Sequence, residues 1–292
     1  HKRIPATLAG IFNLNNMQKN VSIQGFEGCF HQVAARQFYG KSTQVICCST
    51  FKEVIKNTTL GKQGDGGVMA IENSIVGSIL PNYSLIVKSP VKIVGEVYLQ
   101  IKQHLLVNPG VCLEDIKAVH CHYMAIQQCF GFLDKYNWKL VETEDTALSA
   151  KNIHQYKSKH IAAIAGNLAA EIYGLNIIAP NIHTQKNNYT RFLILQHKDA
   201  AFEIIDANKA SVNFNTINTK GSLAKVLTLI ADAGINLSKL QSMPIPGSNF
   251  KYSFHVDMEF NNVPQFEGLI KQLQAVTEQL TVLGIYKNGK IQ

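Results

Sequence analysis

The sequence predicts two consecutive α/β domains in a chain of 292 residues. Strand-like and helix-like segments alternate up to about residue 200, the pattern of an α/β layer. From Ala210 the order becomes β-α-β-β-α-β, that of a ferredoxin-like unit. Between them, across Asp199–Lys209, both periodicities fade, and a linker is expected there.

Val21–Gln24 is a short strand, followed by the tight Gly25-Phe26-Glu27-Gly28 loop. Phe30, Val33, Ala34 and Phe38 then recur at helical spacing and form one buried stripe, which Gly40 ends. Gln44–Cys48 is a strand, Phe51–Asn57 a helix, Gly61–Gly67 a turn and Gly67–Ile71 a buried strand. Val91–Val107 is a long β-rich run, and Asp115–Val119 a short apolar strand. Helices follow at Met124–Tyr136, Thr146–His154 and Leu168–Tyr173. Strands are expected at Leu140–Glu142, Ile161–Ala165, Ile177–Ala179 and Thr190–Gln196. In the second domain, strand Ala210–Asn215 precedes helix Ser222–Ala233, which Gly234 stops. Strand Ile235–Pro244, the Pro246–Ser248 turn, strand Lys251–Glu259, helix Val263–Thr277 and strand Val282–Tyr286 complete it. Tyr252, Phe254, Val256 and Met258 alternate, as in a half-buried strand.

Composition narrows the function. The net charge of +8 comes from scattered lysines without a focused patch or nucleic-acid motif, so a nucleic-acid partner is not expected. The same balance suits an anionic small molecule. No apolar run reaches the roughly 18 residues of a membrane span, and no signal peptide is recognisable. The six cysteines follow neither disulfide nor zinc spacing, which points to a reducing, cytoplasmic setting and to no metal.

Three polar constellations interrupt apolar strands. Glu72-Asn73-Ser74 ends one strand and is followed by Gly77-Ser78. Strand ends in α/β sheets are where ligands bind, although Asn73 or Ser74 could equally cap the next turn. Thr190-Arg191-Phe192 opens another strand; its arginine could fork onto a carboxylate or lie solvated at a strand end. Gly25–Gly28 leads into a helix N-terminus, either an anion cradle or a plain turn.

Taken in order, these segments resemble the prephenate dehydratase family from about residue 20 onward. Gln24–Ala35 looks like its glycine loop and first helix, and Glu72–Ser78 like its ENS-x-x-G-S signature. Gly95–Val97, His104–Leu106, Asp145–Ala147 and Leu168–Leu175 are similar to later family segments, and Thr190–Phe192 is the TRF motif. The C-terminal unit resembles an ACT domain: Gly221-Ser222-Leu223 stands for GAL, and Ile235–Lys239 for INLTK. Gln241-Ser242-Met243-Pro244 stands for ESRP and lacks its acid and arginine.

The resemblance implies a two-lobed catalytic domain like a periplasmic binding protein over residues 18–200, after a leader at 1–17. A linker at 201–209 and an ACT domain at 210–292 follow. It implies decarboxylating dehydration of prephenate to phenylpyruvate, without cofactor, under control of L-phenylalanine, in a homodimer or homotetramer paired through the ACT domain. Arogenate dehydratase and a non-catalytic amino-acid sensor are the alternatives. Thr190 is expected to donate a hydrogen bond to the departing hydroxyl, with Asn73 and Ser74 as its catalytic companions. Gly28, Phe30, His31, Glu72, Thr146, Arg191 and Phe192 are expected around the substrate. Gly28 and the helix from Cys29 would offer N–H groups, Arg191 would meet the pyruvyl carboxylate, and His31 would bind or support rather than act as base. Glu72 is also readable as structural. Gly221, Ser222, Leu223, Asn236, Leu237, Gln241 and Ser242 are the expected effector residues, with control altered by Gln241 and Met243.

Overall fold

Alternation of strand and helix governs the chain in the computed structural model. It describes residues 19–60, 66–201, 204–217, 219–245, 247–248 and 251–289. The expected leader at 1–17, most of the 61–67 turn, residues 202–203 of the linker and Pro246 lie outside those residues.

The chain divides into two compact units. One takes residues 1–48, 62–65 and 102–184, the other 49–61, 66–101 and 185–292. With elements numbered along the chain, the first unit opens with β1 (Asn20–Gln24), α1 (Phe30–Tyr39) and β2 (Gln44–Cys48). It continues with β6 (His104–Val107), β7 (Ala118–His122), α4 (Tyr123–Leu133), β8 (Lys139–Thr143), α5 (Thr146–Gln155), β9 (Ile161–Ala165), α6 (Asn167–Tyr173) and β10 (Asn176–Ala179). The second unit holds α2 (Phe51–Leu60), β3 (Gly66–Asn73), β4 (Gly77–Ser78), α3 (Leu80–Val87), β5 (Val91–Gln100) and β11 (Tyr189–His197). It ends with β12 (Lys209–Asn215), α7 (Ser222–Asp232), β13 (Asn236–Pro244), β14 (Tyr252–Glu259), α8 (Val263–Gln274) and β15 (Gln279–Tyr286).

In the first unit β1 and β2 pair in parallel across α1, a right-sized β-α-β step. A second sheet runs β10-β6-β9-β7-β8, and Leu105, Val119, Cys121 and Ile164 of its strands pack with Ile126 and Cys129 of α4. The long β-run read from sequence is two strands, β5 and β6, which fall in different units. β7 begins at Ala118 rather than Asp115, because Leu113–Asp115 winds into a short 3-10 turn that Asp115 caps on Cys112 N–H.

In the second unit β11 lies between β3 and β5, antiparallel to both. The C-terminal sheet runs β13-β14-β12-β15, with Val226, Ile230, Phe266 and Leu269 of α7 and α8 packed on one face. Its other face also meets protein: Met243, Leu283 and Tyr286 join Met69, Ile71, Ile93, Leu193 and Leu195 in one core. β14 is therefore buried on both sides, not one, and His255 and Asp257 sit on the face that alternation alone assigns to solvent.

Candidate active site

Register brings the two polar signatures together. In the β3–β11 pair Thr190 lies opposite Asn73, and Arg191 opposite Glu72. Directly opposite residues share a face, so Asn73 accompanies Thr190 while Glu72 accompanies Arg191 on the other side.

On the first face, Asn73 Nδ2 donates to Thr190 Oγ1 at 3.0 Å, to Asn188 Oδ1 at 2.7 Å and to the Tyr189 carbonyl at 3.2 Å. Its Oδ1 accepts the N–H groups of Ile75 and Val76 at 3.0 and 3.1 Å, which closes the turn into β4. The turn-forming reading of Asn73 is thus met, and the same side chain reaches Thr190. Ser74 clamps the same corner: its Oγ accepts Tyr189 N–H at 2.9 Å and donates to the Asn187 carbonyl at 3.2 Å.

Two donors remain uncommitted. Among the described residues nothing accepts the Thr190 hydroxyl hydrogen, since Asn73 donates to that oxygen. Asn188, 0 % exposed, keeps an Nδ2 without a partner. A buried unsatisfied donor costs about 1–3 kcal/mol, a cost that a ligand or water removes. From sequence Asn188 stands in the same polar constellation, two residues before Thr190, but is given no role of its own. Ile75, Val76 and Tyr189 add exposed apolar surface at the same corner. Phe192 shares the Thr190 face but is 2 % exposed and belongs to the core.

On the opposite face, Arg191 is fully engaged by the protein. It is 4 % exposed, with Nε on Glu96 at 2.7 Å, Nη1 on Asp257 and Nη2 on Tyr286 Oη at 3.1 Å. The expected carboxylate clamp is therefore corrected: strand alternation turns Arg191 away from Thr190 and into the C-terminal sheet. Lys209 Nζ also reaches Glu96, at 2.9 Å, so two cations face Glu96 and Asp257. Burial pushes the Asp257 carboxyl up, but Arg191 and His255 outweigh it and hold it well below the usual carboxylate range. Ser211 Oγ donates to Asp257 at 2.5 Å. Glu72 is likewise occupied, by Lys239 at 2.6 Å, which favours its structural reading.

In the first unit the glycine loop packs against α5 and α6. Gly25 abuts Asp145 and Gly28 abuts Ala169. Gly28, with φ +90°, could not carry a side chain, because a Cβ would come within 2.8 Å of Ala169 Cα. Its N–H is taken by Gln32 Oε1 at 2.6 Å, and that of Cys29 by the Phe26 carbonyl at 3.1 Å. The expected N–H cradle at these two residues is thus spent internally, because the loop closes on its own helix. The Phe30 ring packs on Gly166, and Tyr173 Oη donates to the Glu27 carbonyl at 2.9 Å. Burial lowers the His31 pKa to about 4, so its imidazole stays neutral and suits no base at neutral pH that must hold a proton afterwards. Thr146 opens α5, half-buried, beside Asp145, which caps the helix on Leu148 N–H at 2.9 Å. Burial raises the Asp145 pKa against that hydrogen bond. Burial also lifts the thiol of buried Cys29 to about 12, and partial burial beside Glu27 lifts that of Cys47 to about 11, which keeps both protonated at neutral pH.

The expected effector residues do not converge within one chain. Gly221, Ser222 and Leu223 open α7, whereas Asn236 and Leu237 follow its end. The 11 residues of α7 separate them by about 16 Å. Gln241 and Met243 stand opposite His255 and Ser253, on the sheet face that meets β3 and β5. Ser242 lies on the other face, opposite Phe254.

No group of three or more metal-ligating side chains occurs among the described residues, and no helix among them is long and apolar enough to cross a membrane.

Comparison with known proteins accounts for this pairing of motifs: the prephenate dehydratase profile matches residues 21–200, and the ACT domain profile residues 210–278. The chain belongs to the prephenate dehydratase family. A bifunctional chorismate mutase/prephenate dehydratase of Aquifex aeolicus is 32% identical over 282 residues, 95% of this chain and 76% of that protein. Arogenate dehydratase/prephenate dehydratase 1 of Arabidopsis thaliana is 34% identical over 281 residues, 91% of this chain and 71% of that one. The structure of Arthrobacter aurescens prephenate dehydratase in complex with L-Phe superposes with a TM-score of 0.83 at 26% identity, covering 94% of this chain and 91% of its own. A structure described as a novel type of quorum quenching acylase superposes equally, at 0.83 and 28% identity, covering 92% and 98%.

Proposed function

We infer that this family member is an enzyme that converts prephenate to phenylpyruvate and that its ACT domain places the reaction under L-phenylalanine control. The observation that carries the reading is the Thr190 hydroxyl, fixed by Asn73 with its own hydrogen free to donate. Loss of the ring carboxylate as CO₂ and of the C4 hydroxyl as water makes the ring aromatic, which supplies the driving force. The protein's task is to orient the substrate and to stabilise the departing oxygen. A threonine hydroxyl is a weak acid, so Thr190 acts by a preorganised hydrogen bond, which Asn73 strengthens by donating to the same oxygen. Ser74 holds the corner, and Asn188 Nδ2 supplies a second donor. In the first unit, Gly28, Phe30, His31 and Thr146 are the residues assigned to substrate binding. Arg191, Glu72 and Phe192 act as structural supports of the site rather than substrate ligands.

An acyl transfer at Thr190 would require a base on its hydroxyl. Asn73 donates to that oxygen instead, which favours elimination over acylase chemistry. Arogenate differs from prephenate at one side-chain carbon, and a relative carries both names.

Residues 18–200 form the catalytic part, 201–209 its linker and 210–292 the regulatory domain. The separation of Gly221–Leu223 from Asn236–Leu237 supports an effector site completed by a second copy, hence a homodimer or homotetramer, and the unbridged cysteines suit a cytoplasmic setting. The deciding experiment measures phenylpyruvate formation from prephenate, with arogenate in parallel and with added phenylalanine. Turnover that Thr190→Ala lowers at least about 100-fold in kcat, with KM nearly unchanged, is expected. Near-normal kcat in that variant removes the assignment.

A further inference from the structure

The strand β13 carries an irregularity whose effect reaches the active corner. Leu237 stands opposite Met258, yet Lys239, two residues on, stands opposite Asp257, so Ser238 is an extra residue in the ladder. Without that bulge Lys239 would oppose Val256 and point to the helix-covered face. A one-residue slip turns a side chain to the other side of the sheet. The bulge therefore aims Lys239 at β3. There its Nζ donates to Glu72 Oε1 at 2.6 Å and to Ser78 Oγ at 2.7 Å, with 15% of the lysine side chain exposed. Glu72 and Ser78 are partners in the β3–β4 ladder, and the next pair, Asn73 and Gly77, closes the turn whose amide holds Thr190. One cation of the regulatory domain thus grips both strands of the hairpin immediately before the residue that orients the hydroxyl.

We propose that Lys239 is a positioning residue for the reaction: through Glu72 and Ser78 it holds the β3–β4 hairpin and thereby sets the Asn73–Thr190 hydrogen bond. The inference rests on the reading of Thr190 above. It also assigns the bulge at Ser238 a purpose, since the bulge connects Asn236–Leu237, at the start of β13, to the hairpin through two residues of chain. Lys239 touches no substrate in this account. Its removal displaces Asn73 and Thr190 without removing a binding contact, so its signature is a fall in kcat at nearly constant KM.

The test uses the full chain with prephenate. Lys239→Met is expected to lower kcat about tenfold or more, the order of loss from a sub-ångström to ångström misplacement, with KM within about twofold. Glu72→Gln, which removes the charge but leaves Ser78 to hold the lysine, is expected to lower kcat less than Lys239→Met though by more than about twofold, and the double variant to be no worse than Lys239→Met, because Glu72 acts only through the lysine. Lys239→Arg should recover most of the rate by reaching the same two oxygens. If Lys239→Met does not fold, Glu72→Gln and Lys239→Arg carry the test alone. A kcat within about twofold of the parent in Glu72→Gln, or losses that multiply in the double variant, overturns the proposal. Thr190→Ala, assayed alongside, separates the outcomes: if it too keeps its kcat, the reading of the site fails first.

Discussion

Arg191 offers the sharpest energetic test of how the second unit is built. Arg191, Lys209, Glu96 and Asp257 form a buried quartet of two cations and two anions whose side chains are all at most 4% exposed, with Glu259 3.7 Å from Lys209 and His255 3.4 Å from Asp257 at its edge. Arg191→Met leaves one unbalanced negative charge, and Asp257→Asn leaves one unbalanced positive charge. Breaking a buried pair from one side costs about 3–5 kcal/mol, a large part of the about 5–15 kcal/mol that keeps a protein folded. The double variant restores neutrality, with Lys209 and Glu96 still paired at 2.9 Å. It should therefore be less damaged than the sum of its singles by about 1–3 kcal/mol, the usual range for coupled neighbours. Urea denaturation read from the midpoint at constant slope measures each value. Single losses below about 1 kcal/mol, or singles that add within about 0.5 kcal/mol, would refute the claim that these ions are buried and mutually compensated.

Other outcomes follow from the first unit. Gly28→Ala forces a Cβ toward Ala169 at a φ of +90° and should lower stability by more than about 1 kcal/mol; an unchanged thermal midpoint counts against the packing described. His31 titrates near 4 when folded and near 6.5 when free, so between those values the unfolded chain binds a proton that the folded one does not. Stability should accordingly fall as pH drops from about 6.5 toward 4, and His31→Gln should flatten that slope in urea midpoints taken at several pH values.

Much of this architecture was readable beforehand because apolar periodicity reports burial. The β-α-β-β-α-β order and the meeting of Asn73 with Thr190 were accessible from pattern and motif. Helix α3 was not, since Leu80–Val87 is apolar almost throughout and shows no amphipathic stripe. It buries Asn82 instead, whose Nδ2 donates to the Ala70 carbonyl at 2.7 Å. The polar face of the C-terminal sheet escaped for a complementary reason. Ser211, His255 and Asp257 alternate with apolar residues just as solvent-facing positions do. Alternation reports polarity, and it cannot distinguish water from a partner carboxylate or guanidinium. The motif resemblance, which carries no information on which face a residue takes, likewise placed Arg191 beside a substrate and Gln241 beside an effector. Met243 lies in the core shared with β3, β5 and β11.

Two glycines bear on how freely this regulatory domain could be exchanged. A Cβ on Gly284 would lie 2.0 Å from the Ile93 carbonyl oxygen, and one on Gly289 would lie 2.2 Å from that of Glu96. β15 and the chain after it therefore run backbone against backbone along β5, with no room for even a methyl group. An ACT domain transplanted from another protein would seat here only if it brought hydrogen at both positions. In this chain the sensing module is a fitted part, and its lineage should travel with that of the strand it rests on.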